Sequence, residues 1–130
     1  MRFVWCLLVC LLLPASVSAQ VIVNPTQVEF SASPDHAVSF GGLALVTKYE
    51  LVITRQGLPT LPVVPVVDLG KPTPTANLIT VSMPGGLPNN TVLVATVRTV
   101  GPGGTTPSVA SDPFGVVGPP AAAGKPIPKP

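Results

Sequence analysis

The chain has 130 residues, with 9% charged, 46% hydrophobic, 18 prolines and 12 glycines. That length holds one domain and not two, and its valine, isoleucine and leucine are too abundant and too evenly placed for a disordered chain. A formal net charge of +2 is too small to point to nucleic acid or an anionic membrane surface as a partner.

Residues 1–19, MRFVWCLLVCLLLPASVSA, read as an export signal. Arg2 opens it, an apolar core runs from Phe3 to Leu13, Pro14 follows, and Val17 and Ala19 fit the small-residue exit, so cleavage is expected before Gln20. The apolar run falls short of the roughly 20 residues that span a bilayer, so no membrane span is expected after cleavage. The product is expected to be secreted or extracellular, or periplasmic in a bacterial host. A lipoprotein reading through Cys10 fits poorly, because Leu-Leu-Val before it is a weak lipidation box and comes too early. Cys6 and Cys10 leave with the signal, so the exported domain has no disulfide available and rests on its apolar core.

From Gln20 onward there is no helical periodicity. Short β-branched runs alternate with Pro, Gly, Asn and Asp clusters, the pattern of an antiparallel sandwich or barrel. About seven strands are expected. The first, 21–23, ends at Asn24-Pro25; the second, 27–33, carries Val28 and Phe30 and ends in the Ser33-Pro34-Asp35 turn. The third, 46–54, sets Tyr49, Leu51 and Ile53 on one face against Lys48 and Glu50 on the other. The run 63–69 is interrupted by Pro65 and is expected at a sheet edge, since proline has no ladder donor. Residues 76–83 turn Ile79, Val81 and Met83 to one side; 91–100 turn Leu93, Ala95 and Val97 inward and Thr96 and Arg98 out; 108–117 form the last strand, around Phe114. Residues 118–130, with the tail PPAAAGKPIPKP, are expected to be extended and unable to bury a core.

Over residues 21 to 117 the chain resembles a fibronectin type III domain. The resemblance lies in the Tyr49-Glu50-Leu51-Val52-Ile53 strand and in the register of Leu87, Thr91, Leu93, Ala95, Val97 and Thr99, followed by the Gly101-Pro102-Gly103-Gly104 turn and Pro107-Ser108. It implies an all-β, seven-stranded immunoglobulin-like sandwich. In two places the chain departs from the family: Phe30 stands where it has a second-strand tryptophan, and Leu93 where it has a corner tyrosine. The first strand is also truncated. Loss of the tyrosine hydroxyl implies loss of a hydrogen bond to the preceding loop, worth about 1 kcal/mol.

Catalytic, metal and cofactor chemistry find little support. His36 has Asp35 beside it, but neighbours in sequence rarely aim at each other, and no Ser or Cys completes a nucleophile arrangement. Glu29, Asp35, His36, Glu50 and Asp68 show no metal-ligand spacing. Carboxylate pairs for glycoside hydrolysis have no support beyond the existence of carboxylates. The Gly101–104 run lacks the Lys-Ser/Thr ending of a phosphate loop and reads as a hairpin turn. Pro59, Pro62 and Pro65 could present a polyproline ligand, but protection of a sheet edge is the simpler use. Asn89-Asn90-Thr91 is a glycosylation sequon, relevant in a host with that machinery.

The expected function is therefore a secreted, noncatalytic interaction or structural module without cofactor, whose partner is another extracellular or envelope protein. The alternative is an exported accessory module that binds polysaccharide or serves an envelope complex; few aromatics are left to make a sugar platform. In the fibronectin type III arrangement the loops 34–45 and 101–106 share one end of the sandwich. His36, Phe40, Leu43, Gly103 and Thr105 are the candidate binding residues there. Phe40, Leu43 and Leu45 beside Gly41-Gly42 make the first loop more apolar than a loop needs to be. The simplest expectation is that these side chains fold back over the core end; the sharper one is that they form a recognition patch.

Overall fold

The computed structural model describes residues 21–124, Pro126 and Pro128; the export signal and its cleavage site lie outside the described residues. The fold is all-β, with no helix among the described residues. Strands β5 (Lys48–Arg55) and β9 (Val92–Gly101) form its spine, paired antiparallel from Lys48↔Val100 to Arg55↔Leu93. On one flank, β6 (Leu58–Pro62) and β7 (Val67–Gly70) both pair with β5. On the other, β10 (Gly104–Pro107) and β11 (Phe114–Gly115) pair with β9, and the two-residue β1 (Ile22–Val23) runs parallel to β11. A second sheet, β2 (Gln27–Ser31) with β8 (Leu78–Ser82), faces this one in a sandwich-like arrangement. The short hairpin of β3 (Ser39–Phe40) and β4 (Leu43–Ala44) stands apart.

Period-two alternation puts one row of each strand into the space between the sheets. Tyr49, Leu51 and Ile53 from β5, Leu93, Ala95 and Val97 from β9, Ile79 from β8 and Phe114 from β11 are buried there. Val28, Phe30, Val81 and Met83 close over them from the second sheet. The registers expected for 46–54, 76–83 and 91–100 are those seen. On the outward face, however, Val52 and Thr54 are also buried and Thr96 is half-buried. Strands flank β5 on both sides, and their side chains screen its centre.

Where about seven strands were expected, the described residues form eleven short segments. The run 63–69 is not continuous. Two short strands, β6 and β7, flank a break at Val63–Val66, because Pro65 cannot donate to a ladder. Pro59 and Pro62 lie on the outer edge strand β6, where Thr54 pairs with Pro62. The run 108–117 is strand only at Phe114–Gly115, and the ladder with β9 is instead carried first by Gly104–Pro107. Between them the chain leaves the ladder, and two serines stand in for it. The N–H groups of Ser108 and Ser111 donate to Val97 O (2.7 Å) and Ala95 O (2.8 Å). Their Oγ atoms accept from the N–H groups of Val97 and Ala95, each at 3.0 Å. Each hydroxyl then donates to the next carbonyl, Val109 O at 2.9 Å or Asp112 O at 2.8 Å. Backbone groups that lose a strand partner must find another, and here side-chain oxygens provide it. Residues 119–124 are exposed and in no strand.

Candidate binding loops

The chain turns out of β2 at Ser33-Pro34-Asp35-His36, a turn closed by His36 N–H donating to Ser33 O at 2.9 Å and by Asp35 N–H donating to Ser33 Oγ at 3.2 Å. Tyr49 pins this turn to the core. Its ring is 1% exposed, and its Oη accepts from Ser33 N–H at 3.1 Å and lies 2.9 Å from His36 Nδ1. The His36 ring stacks on Tyr49 at 5.8 Å and 13°, while Phe30 packs tilted against Tyr49 with ring centroids 5.3 Å apart. A core tyrosine does tie a loop to the sandwich, but from β5 and not from the Leu93 position. His36 is thus turned inward onto Tyr49 and is separate from the other candidates.

Beyond the turn, β3 and β4 form a two-residue hairpin. Gly41 and Gly42 have φ of +58° and +82°; positive φ at both central positions defines the tight turn whose twist matches a strand pair and that glycine adopts without strain. Phe40 and Leu43 are cross-strand partners, so their side chains stand together on one face. Phe40 is 81% exposed and Leu43 63%. The expectation that they fold back over the core end is therefore corrected: Val46, 1% exposed, closes the core, and the hairpin projects beyond it.

The β9–β10 hairpin approaches from the other side. Thr47 N–H and Thr47 Oγ1 both donate to Val100 O, at 2.8 and 3.0 Å. Gly101 lies against the Leu45 carbonyl, where a Cβ would collide with that oxygen, so only glycine allows the contact. The two loops thus share one end of the fold. Between them is a shallow hollow of about 390 Å³ lined by Ser33, Asp35, Leu45, Gly103 and Thr105 among others. Gly103 and Thr105 belong to this hollow; Phe40 and Leu43 sit outside it on the projecting tip. The sequence signal for the tip was available in Phe-Gly-Gly-Leu, a glycine pair between apolar residues.

The salt bridges among the described residues lie elsewhere. Lys48 Nζ bridges Glu50 Oε1 at 2.9 Å and Asp68 Oδ2 at 3.0 Å on the outward face of β5 and β7. These bonds, that to Glu50 foremost, hold the Lys48 ammonium above its ordinary pKa. The Gly70 N–H, and then Lys48, hold the Asp68 carboxyl below its own. Among the described residues no three of His, Cys, Asp or Glu converge on a metal site, and no described helix is long and apolar enough to cross a membrane. No protein-family model, curated protein or solved structure matches the chain.

Proposed function

We propose that this chain is a secreted, noncatalytic module of fibronectin type III type that recognises another extracellular or envelope protein through the end formed by its two loops. What supports this reading is the strand arrangement: β5 pairs with β9 and β9 with β10 and β11, while β2 and β8 form a separate sheet, an order compatible with the C-F-G and B-E pairings of an immunoglobulin-like sandwich. The observation that carries the function is the hairpin tip. Two large apolar side chains, Phe40 and Leu43, stand in water on a two-residue glycine turn beside a shallow hollow. Exposed apolar groups on a loop held by a scaffold are the usual material of a recognition surface. One projecting phenylalanine is a knob for a protein groove, whereas polysaccharide recognition favours a platform of several aromatic rings.

The test is capture by the immobilised protein from its native extracellular surroundings, comparing wild type with Phe40→Ser and Gly103→Arg. Gly103 has open space around it, so the arginine blocks the hollow without strain. Both variants are expected to lose the captured species while keeping the wild-type melting temperature. Undiminished capture by both refutes the loop-end reading.

A further inference from the structure

Among the described residues, strand β2 has a partner on one side only. In its ladder with β8, Met83 N–H donates to Thr26 O and Ala32 N–H to Asn77 O, both at 2.9 Å. The ladder alternates with period two, so Val28 and Phe30 also face β8. The N–H and C=O groups of Gln27, Glu29 and Ser31 therefore point to the opposite edge, where, among the described residues, they meet no hydrogen-bond partner. In a sandwich of this kind that edge belongs to the first strand. Here the first strand is two residues long and pairs with β11 instead.

Beside the free edge lies open apolar space. A groove of about 670 Å³ runs between β2 and the 106–111 stretch, with Val28, Phe30, Tyr49 and Val97 along its floor. A second hollow of about 220 Å³, lined by Val28, Ala95, Met83 and Phe114, continues it toward β1. The far wall is the serine-tied excursion, whose Val109 is 93% exposed. Two carboxylates, Glu29 and Asp112, border the hollows, and no lysine or arginine lines either one.

We propose that this edge is a strand-addition site for an extended, basic segment of a partner protein. Such a segment pairs its backbone with Gln27, Glu29 and Ser31, sets alternate apolar side chains on the groove floor, and turns lysine or arginine outward beside Glu29. Charge selects this occupant over a second copy of the chain: antiparallel self-pairing through the middle of β2 sets Glu29 against Glu29. The chain's own tail is unsuited, since its prolines (Pro119, Pro120, Pro126, Pro128 and Pro130) cannot donate to a ladder. The groove shares Ser33, Thr99 and Thr106 with the loop-end hollow at its far end, but the pairing edge of Gln27, Glu29 and Ser31 lies outside that hollow.

The probe is a capped synthetic peptide of roughly seven residues, the length of β2 with one residue added at each end, alternating valine with lysine and threonine. It is titrated into the isotope-labelled protein and followed by NMR. The expected result is saturable shifts and slowed hydrogen exchange at the Gln27, Glu29 and Ser31 amides. The same peptide N-methylated on its edge-facing residues is expected not to bind. Glu29→Pro removes the outward N–H and leaves the β2–β8 backbone ladder intact, though it also removes the carboxylate that accepts from Thr80 Oγ1 at 3.3 Å, and is expected to weaken binding by about tenfold. Glu29→Lys keeps the backbone donor and is expected to weaken this basic peptide by up to about fivefold per charge pair. Unmoved edge amides at saturating peptide overturn the proposal. So do shifts confined to Phe40, Gly42 and Thr105, a result that leaves the loop-end function standing. Concentration-dependent shifts of the same edge amides without peptide, with a dimer by light scattering, also overturn it in favour of self-pairing.

Discussion

Ser108→Ala tests whether a side-chain oxygen replaces a strand partner in this fold. The substitution leaves the Ser108 N–H bond to Val97 O in place and removes the Oγ that accepts from Val97 N–H at 3.0 Å. Val97 is a core residue, 7% exposed, so its amide has restricted access to water. An unsatisfied buried donor costs about 1–3 kcal/mol, and partial rehydration through the exposed 108–113 stretch puts the expectation at about 1–2 kcal/mol. For a domain of this size that lowers the melting temperature by roughly 4–8 °C per kcal/mol. Urea denaturation is expected to show a lower midpoint with an unchanged slope. Native-state hydrogen exchange gives the site-specific readout: the Val97 amide loses protection while that of Ala95, held by Ser111, keeps it. Thr105→Ala, on the exposed strand β10, is the reference and should stay within about 0.5 kcal/mol. A Ser108→Ala protein as stable as that reference, with Val97 as protected as in wild type, refutes the reasoning.

Leu93→Ala is expected to cost about 2–5 kcal/mol, because Leu93 is 0% exposed and its loss leaves a cavity. Thr96→Ala on the opposite face should cost no more than about 0.5–1 kcal/mol by the same urea assay; equal effects contradict the β9 register. Gly101→Ala drives a methyl into the Leu45 carbonyl and is expected to destabilise by about 1–3 kcal/mol. Gly103→Ala, with open space around it, is expected to do so by less than about 0.5 kcal/mol, both read by thermal melting.

Long alternating strands were legible from residue order. Tyr49-Leu51-Ile53, Ile79-Val81-Met83 and Leu93-Ala95-Val97 all face the core as alternation requires. Short or proline-bearing strands were not. Residues 58–62 gave no strand pattern because they hold two prolines; Pro59 and Pro62 sit, as the edge-protection reading has it, on an exposed edge strand in which the missing donors cost little. Residues 108–113 read as part of a strand centred on Phe114; Pro107 and Pro113 pull them out of the ladder and the serines compensate. At the loop end, the shared position of 34–45 and 101–106 was legible through the family resemblance, but the direction of each side chain was not. His36 and Tyr49 are thirteen residues apart in a chain whose periodicity carries no sign of their contact. Whether Phe40 points in or out depends on a hairpin of two residues a side, too short to leave a pattern.

The parallel pairing of β1 with β11 has a mechanical consequence. Ile22 N–H donates to Pro113 O at 3.4 Å, Asn24 N–H to Gly115 O at 2.8 Å, and Val117 N–H to Asn24 Oδ1 at 2.9 Å. Because the two strands run the same way, a pull on the chain before Ile22 and after Val117 slides one strand along the other. It does not peel them apart at one end. The three bonds then share the load together and fail together, so tension along the chain meets a shear clamp before it reaches the core.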